Sequence, residues 1–534
     1  MPELIKELQK KEEEELAKIL SKKYGIPYIN LDTTTIELDS LKIIPEHEAK
    51  ENFIAAVQSI GKKVQIAVAD PDTKGVKNII ENLKKQNYEI KLYLASKSGL
   101  NKVFLKYKEI PPFEEIKPGI VEIKSAKTAG LEEIYSQIKN NLKNVTILIE
   151  ELLSYAIGTE ASDIHLEPSP KDTKIRLRLD GVLHDLGTIP SANYKLVLSR
   201  IKLLSELKLN IHHKPQDGRF TIKLKEPLED VETRTSALPG PYGESIAMRI
   251  LLPKNIEMKI ENLGMQNKVL ELIQKELKKP NGMIITTGPT GSGKTTTLYA
   301  FLKQIASPEI KVITIEDPIE YHLLGITQTQ IEPQKGYDFS NGLKSILRQD
   351  PDVILVGEIR DLETASTAMH AALTGHLVFS TLHTNNAAGT IPRLIDLGVK
   401  PNIIAPAINV AIAQRLIRKL CQFCKKEMGP STEEEKSIKE NLKGIIKVPQ
   451  KFKIWQANKC EKCNFTGYKG RTGIFEAFLV NDEIEKLILK NPSEADIKEA
   501  AEHQGMVTIF QDGLIKVLEG ITSFEELNRV VFED

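Results

Sequence analysis

The run Gly288-Pro289-Thr290-Gly291-Ser292-Gly293-Lys294-Thr295 constrains this chain more than any other stretch, because it follows the apolar segment Met283-Ile284-Ile285-Thr286. A glycine-rich turn between a buried strand and a helix aims several backbone N–H groups at one point. The start of the helix adds partial positive charge there, so an anion is held. Gly288, Gly291 and Gly293 allow the backbone to close around phosphates where a Cβ would collide. The pattern predicts a nucleoside triphosphate site, with Lys294 at the β- and γ-phosphates, the Thr295 hydroxyl on Mg²⁺ and Thr296 completing the cradle. A chance Gly/Ser turn rarely matches all positions of this motif in a strand–turn–helix setting.

At 534 residues the chain exceeds one hydrophobic core, so about three or four domains are expected. The 73 basic and 73 acidic residues cancel, which argues against a nucleic-acid partner. The N-terminus runs into the acidic stretch Glu12 to Glu15, unlike a secretory signal. The longest apolar region, Ile403 to Ala413, is broken by Pro406 and Asn409 and falls short of the roughly 20 residues that span a bilayer. A cytoplasmic protein is expected, with membrane association only through partners. The four cysteines all lie between 421 and 463, which excludes a disulfide-stapled secreted scaffold.

Residues 1–108 read as a small α/β domain, with Leu4, Ile5, Leu8, Leu16, Ile19 and Leu20 at helical spacing and Gly25 as a helix stop. Val64, Ile66 and Val68 alternate as a strand should. Proline-rich residues 109–140 read as a linker. Residues 141–254 read as a mixed α/β domain: a helix over Val145–Ala156, a strand over Lys174–Leu179 and a helix over Lys195–Leu207. The loop Pro215-Gln216-Asp217-Gly218 follows, then strands near Val231–Ser236 and Ser245–Leu251. Over 255–534 apolar strands alternate with helices, the signature of a mainly parallel, helix-covered sheet. After Ile474 the tail reads as helices, with Leu487, Ile488, Leu489, Leu514, Val517 and Leu518 as core candidates.

Other parts of a phosphate-cleaving site fall at strand ends. Glu316, Asp317 and Glu320 follow one apolar strand, and Glu358 closes another, Val353 to Val356. Ligands of open α/β sheets bind outside the carboxyl ends of the strands. One carboxylate would hold Mg²⁺, directly or through water, and another would orient or deprotonate the attacking water. Taken singly, each acid reads better as a solvated loop residue; two Glu-bearing strand ends after one phosphate loop read as functional. His383, at the end of a further strand, would hydrogen-bond a γ-phosphate; His376, at its start, reads equally as a satisfied polar residue. Cys421-x-x-Cys424 and Cys460-x-x-Cys463 fit a closed, structural tetrahedral zinc site in an insertion spanning about 421–463. Neither pair opens a helix after a strand, so redox chemistry is disfavoured.

The phosphate loop, Glu316-Asp317-Pro318-Ile319-Glu320, Leu347-Arg348-Gln349-Asp350-Pro351-Asp352 through Thr364, and Gly375-His376 through Asn385 occur in that order. Together they resemble the secretion ATPase superfamily, the motors of type II secretion and type IV pilus biogenesis. The resemblance implies an α/β multidomain fold: a RecA-like P-loop NTPase C-terminal domain, a PAS-like α/β middle domain and a small α/β N-terminal domain that docks partners. The middle domain is marked by Ala161 through Pro168 and by Arg178-Leu179-Asp180-Gly181.

The resemblance further implies Glu320 as the water-activating base, Glu358 as the Mg²⁺-linked acid, and Arg219 and Arg234 as γ-phosphate contacts lent by the middle domain. His212-His213-Lys214 departs from the family's usual residues there. Cys463 through Gly473 resembles the family's metal-binding segment. Retraction motors lack that module and the N-terminal domain, which points to assembly or secretion. The implied protein is a homohexameric ATPase peripheral to the inner membrane, acting on a platform protein to add pilin subunits. Alternatives are a type II secretion motor and a non-hydrolysing nucleotide-dependent scaffold, although Lys294, Glu320 and Glu358 are all present. No Arg/Gly-rich repeat supports cyclic-dinucleotide binding by the N-terminal domain, so docking of a cytoplasmic partner is preferred.

Overall fold

A computed structural model describes residues 2–109, 118–127, 131–140, 144–253 and 258–532. The chain divides into two compact units, Met1–Ile116 and Lys117–Asp534. Among the described residues no helix is long and apolar enough to cross a membrane.

In the N-terminal unit a helix over Pro2–Tyr24 stops at Gly25, whose φ is +65°. Strands Ile54–Ile60 and Lys63–Val68 form an antiparallel hairpin, and Glu89–Leu94 joins in parallel after the crossover helix Lys74–Lys85. Val64, Ile66 and Val68 are buried, as their alternation predicts. The helical periodicity is met only in part: Leu16 and Ile19 face solvent, while Ala17 and Leu20 turn inward.

The C-terminal unit holds two seven-stranded sheets. The first has the order Ile120–Ser125, Gln216–Glu226, Leu228–Leu238, Ser245–Leu251, Asp163–Pro168, Asp172–Leu179 and Val182–Pro190. All its pairings are antiparallel except that of Ile120–Ser125 with Gln216–Glu226. Helices Val145–Gly158 and Ser191–Leu204 supply Leu148, Leu152, Val197 and Ile201 to its core. Strand Ile120–Ser125 and helix Leu131–Asn140 lie in the range that the sequence reads as linker. Gln216-Asp217-Gly218, expected as loop, begins a strand, because the ladder to Leu228–Leu238 runs through Gln216↔Ala237. Gly218 is there for space: a Cβ would sit 2.2 Å from the Ser205 carbonyl oxygen.

The second sheet has the order Thr327–Gln330, Val312–Glu316, Val353–Val356, Leu377–Leu382, Gly282–Thr287, Ile408–Leu420 and Tyr468–Leu479. Every pairing is parallel except the last. Successive residues of its strands face opposite layers: Met283 and Ile285 join one apolar cluster, and Ile284 joins another. Burial on both faces is why these strands read as unbroken apolar runs. The tail differs from expectation in that Ile474 lies within a long strand, and helices begin only at Asp482. Ile488, Leu514 and Val517 are buried, but Leu489 is exposed.

The tail helix Ile509–Leu518 is locked to that strand by a buried charge pair. Asp512 accepts from Lys516 Nζ at 2.6 Å and from the Phe475 amide at 2.8 Å. Removing one partner would leave the other charge buried and alone. Asp512→Ala is therefore expected to lower the unfolding free energy by about 3–5 kcal/mol; guanidinium unfolding checks this, and an unchanged midpoint would contradict it.

Candidate functional site

The loop predicted to hold phosphates joins Gly282–Thr287 to the helix Lys294–Ile305. Gly288 has φ +144°, and a Cβ there would lie 2.6 Å from the Gln414 carbonyl oxygen. Gly293, at φ +89°, caps the helix in the left-handed region. Thr295 and Thr296 are half-buried in the first turn. Lys294 folds back on its own loop, donating to the Gly288 carbonyl at 2.7 Å and the Pro289 carbonyl at 3.2 Å. Burial depresses its pKa to about 8, although the Glu358 carboxylate works in the opposite direction. A partly desolvated cation seeks a stronger anionic partner than two carbonyls. The Ser292 hydroxyl is buried without a hydrogen-bond partner, and Gln414 Nε2 holds the Ser292 carbonyl at 2.6 Å. An anion-lined ligand such as a nucleotide phosphate fits this set.

Neighbouring strand ends bring two of the predicted groups to Lys294. Glu358 pairs with Arg360 at 2.5 Å and lies 3.6 Å from His383 Nε2. Burial, and then the Lys294 charge, hold His383 below the usual imidazole range. The Thr287 and Thr384 hydroxyls meet at 2.7 Å, tying the strand before the loop to the one before His383. His376, by contrast, sits at the strand start and bonds the Ala371 carbonyl at 3.0 Å. Glu316 is occupied internally, accepting from Tyr299, from Thr314 at 2.6 Å and from Gln328 at 3.2 Å.

A second grouping joins the two sheets. Arg234 approaches Glu320 Oε2 at 3.4 Å and donates to the Ile319 carbonyl. Arg219 is not drawn in: its side chain is 80% exposed, with Glu232 at 4.0 Å. Register nonetheless places Arg219, Arg234 and Arg249 directly opposite one another on three adjacent strands. Like charges in facing positions repel, and the carboxylates of Glu232, Glu320 and Asp163 stand against the row. Arg249 uses Nε on Asp163 at 3.1 Å and feels the Glu320 charge.

The four cysteine sulfurs lie within 4.8 Å of one another. Three of their separations are 3.7–3.8 Å, close to the edge of about 3.8 Å that a tetrahedral ZnS₄ centre requires at a Zn–S bond of about 2.3 Å. The donor set fits a thiolate-bound metal.

A family model described as type II/IV secretion system protein matches residues 139–529. The chain belongs to that family. A second model, described as the MshEN domain, matches residues 24–109. The chain is 36% identical to the type IV pilus assembly ATPase PilB of Myxococcus xanthus, over 97% of this chain and 91% of that protein. It is 43% identical to the type II secretion system protein E of Aeromonas hydrophila, over 72% of this chain and 75% of that protein. The structure of the ATPase DotB from Yersinia pseudotuberculosis superposes with a TM-score of 0.51 at 18% identity, covering 73% of this chain and 94% of that one. That likeness concerns the fold, which is the expected α/β multidomain class with a RecA-like C-terminal domain.

For this secretion-family chain, sequence reasoning missed Arg249 and Arg415. Arg249 carried a signal in its spacing, since it follows Arg234 by the interval at which Arg234 follows Arg219. Arg415 stands beside Gln414 after the apolar run Val410–Ala413 of the same strand, and its guanidinium reaches the Asn385 carbonyl at 3.0 Å and acts on Lys294. A polar pair in a buried strand marks a position held for chemistry or for a backbone partner.

The geometry makes Gly288→Ala the sharpest probe of the loop. The added methyl group meets backbone and demands a disfavoured φ, so triphosphate binding should weaken by at least about tenfold while the fold persists. Titration with a fluorescent nucleotide tests this; parental affinity would show that the loop does not cradle the ligand.

Proposed function

We propose that this member of the type II/IV secretion system family is a Mg²⁺-dependent motor ATPase. The contact of Arg234 with Glu320 carries the reading, because it links a middle-domain cation to an acid that follows a strand of the sheet bearing the phosphate loop. In this arrangement Arg234 neutralises Glu320. A γ-phosphate competes for that guanidinium and frees the carboxylate to take a proton from water. Lys294 leaves its loop carbonyls for the phosphate oxygens, and His383 donates a hydrogen bond to the same group. Mg²⁺, held by Thr295 and, directly or through water, by Glu358, would neutralise charge that develops on the phosphates. Loss of the γ-phosphate returns Arg234 to Glu320, so hydrolysis is coupled to movement of the middle domain.

The motor is read as a homohexamer at the inner membrane that drives pilin addition through a platform protein, with residues 1–108 docking a cytoplasmic partner. The match to the Myxococcus PilB over 97% of this chain supports pilus assembly. The higher identity of the Aeromonas protein, 43% over 72% of this chain, supports type II secretion as the second reading. Mass spectrometry of membrane proteins that co-purify with the intact chain separates the two.

Phosphate release at saturating ATP tests the mechanism. Arg234→Ala should lower turnover on the order of 10³-fold while sparing nucleotide affinity, with Arg249→Ala next and solvated Arg219→Ala least. Equal rates for Glu358→Ala and the parent would remove the enzyme reading. For the sulfur cluster, elemental analysis should find one zinc per chain, and a fully folded preparation free of metal would overturn the assignment.

A further inference from the structure

Glu320 sits on a stretch, residues 317–326, that is neither helix nor strand. Backbone of that kind keeps a fixed position only where other groups hydrogen-bond it. Here the edge strand Thr327–Gln330 does so with its own side chains. Gln328 Oε1 accepts from the Leu323 amide at 2.7 Å, and Gln328 Nε2 donates to the Tyr321 carbonyl at 3.0 Å. Gln330 Oε1 accepts from the Ile319 amide at 3.4 Å, on the other flank of Glu320. The backbone is gripped on both sides of the carboxylate, more closely by Gln328.

Gln328 is itself held by a buried carboxylate. Register sets it opposite Thr314 on the parallel neighbour Val312–Glu316, so Thr314, Glu316 and Gln328 share one face. Glu316, only 4% exposed, accepts from Gln328 Nε2 at 3.2 Å, from Thr314 at 2.6 Å and from the Tyr299 phenol. Burial, and then the Glu316 charge, push that phenol above its ordinary range, so it stays a donor. A carboxylate only accepts, which turns the Gln328 amide nitrogen inward and its oxygen toward Leu323. Tyr299 belongs to the helix Lys294–Ile305 that leaves the phosphate loop. Tyr299, Glu316 and Gln328 therefore tie the Glu320 stretch to that helix.

We propose that Gln328 is a positioning residue for Glu320, acting through its backbone rather than on the nucleotide. The proposal rests on the reading of Glu320 as the water-activating base. A reacting group misplaced by about 1 Å costs on the order of 10²-fold in rate, so loss of the Gln328 amide should act on turnover rather than on binding. The test is single-turnover phosphate release by the full-length chain, beside titration with a fluorescent ATP analogue. Gln328→Met, similar in size but unable to form these hydrogen bonds, should slow release at least about tenfold while nucleotide affinity stays within about twofold. Gln328→Asn keeps the amide but falls one methylene short. It should slow release too, and it decides the matter if the methionine variant does not fold. In a Glu320→Gln background Gln328→Met should add no further loss, because it acts through that carboxylate. Parental release by the Gln328 variants, loss of affinity in step with release, or equal slowing in both backgrounds would overturn the proposal and leave the base reading intact. Parental release by Glu320→Gln alone would remove the base reading, and this proposal with it.

Discussion

A parallel sheet buried on both faces leaves polar chemistry one place to go. Side chains within the strands Gly282–Thr287, Val312–Glu316, Val353–Val356 and Leu377–Leu382 are sealed between two apolar clusters. Polar groups therefore collect where the strands end and the chain turns into helix. Gly288, Glu358 and His383 follow such ends, of the strands Gly282–Thr287, Val353–Val356 and Leu377–Leu382. Their convergence follows from strand order, because Gly282–Thr287 is inserted beside Leu377–Leu382 rather than beside its sequence neighbour.

The site thus formed is rich in fixed positive charge. Lys294 is partly desolvated, Arg415 lies close enough to act on it, and three arginines face one another across the neighbouring sheet. Each has a protein partner that is modest for a cation: loop carbonyls for Lys294, a single carboxylate contact for Arg249. Arg234 reaches a carboxylate from the other sheet, that of Glu320. Under the proposed mechanism a ligand phosphate and Glu320 would compete for one guanidinium, which would link occupancy of the loop to the position of the middle domain by electrostatics.

The cysteine module shows the complementary strategy. Its sulfurs are gathered to within a metal's reach while its aromatic and cationic side chains point outward. A short segment between long strands cannot build a hydrophobic core of its own, and a metal on the four thiols would supply the rigidity.

Much of this was legible in the residues. The phosphate loop, the acids at strand ends, the paired cysteines and the alternation of apolar runs with helices follow from local patterns, because each motif's chemistry resides in adjacent residues. Other features were not local. The strand at Gln216 depends on a ladder to residues beyond Leu228, and the exposure of Leu16 and Ile19 depends on what packs against their helix. The unequal standing of Arg219 and Arg234 could not be read from sequence either, since both sit in similar polar strands and only pairing between sheets sets one on Glu320. The sequence by itself determined which atoms could bind phosphate and metal, because backbone conformation and ligand type are encoded residue by residue. Tertiary structure alone decided which charges meet, because electrostatic partners are chosen by distance in space, and here they lie 86 positions apart in the chain.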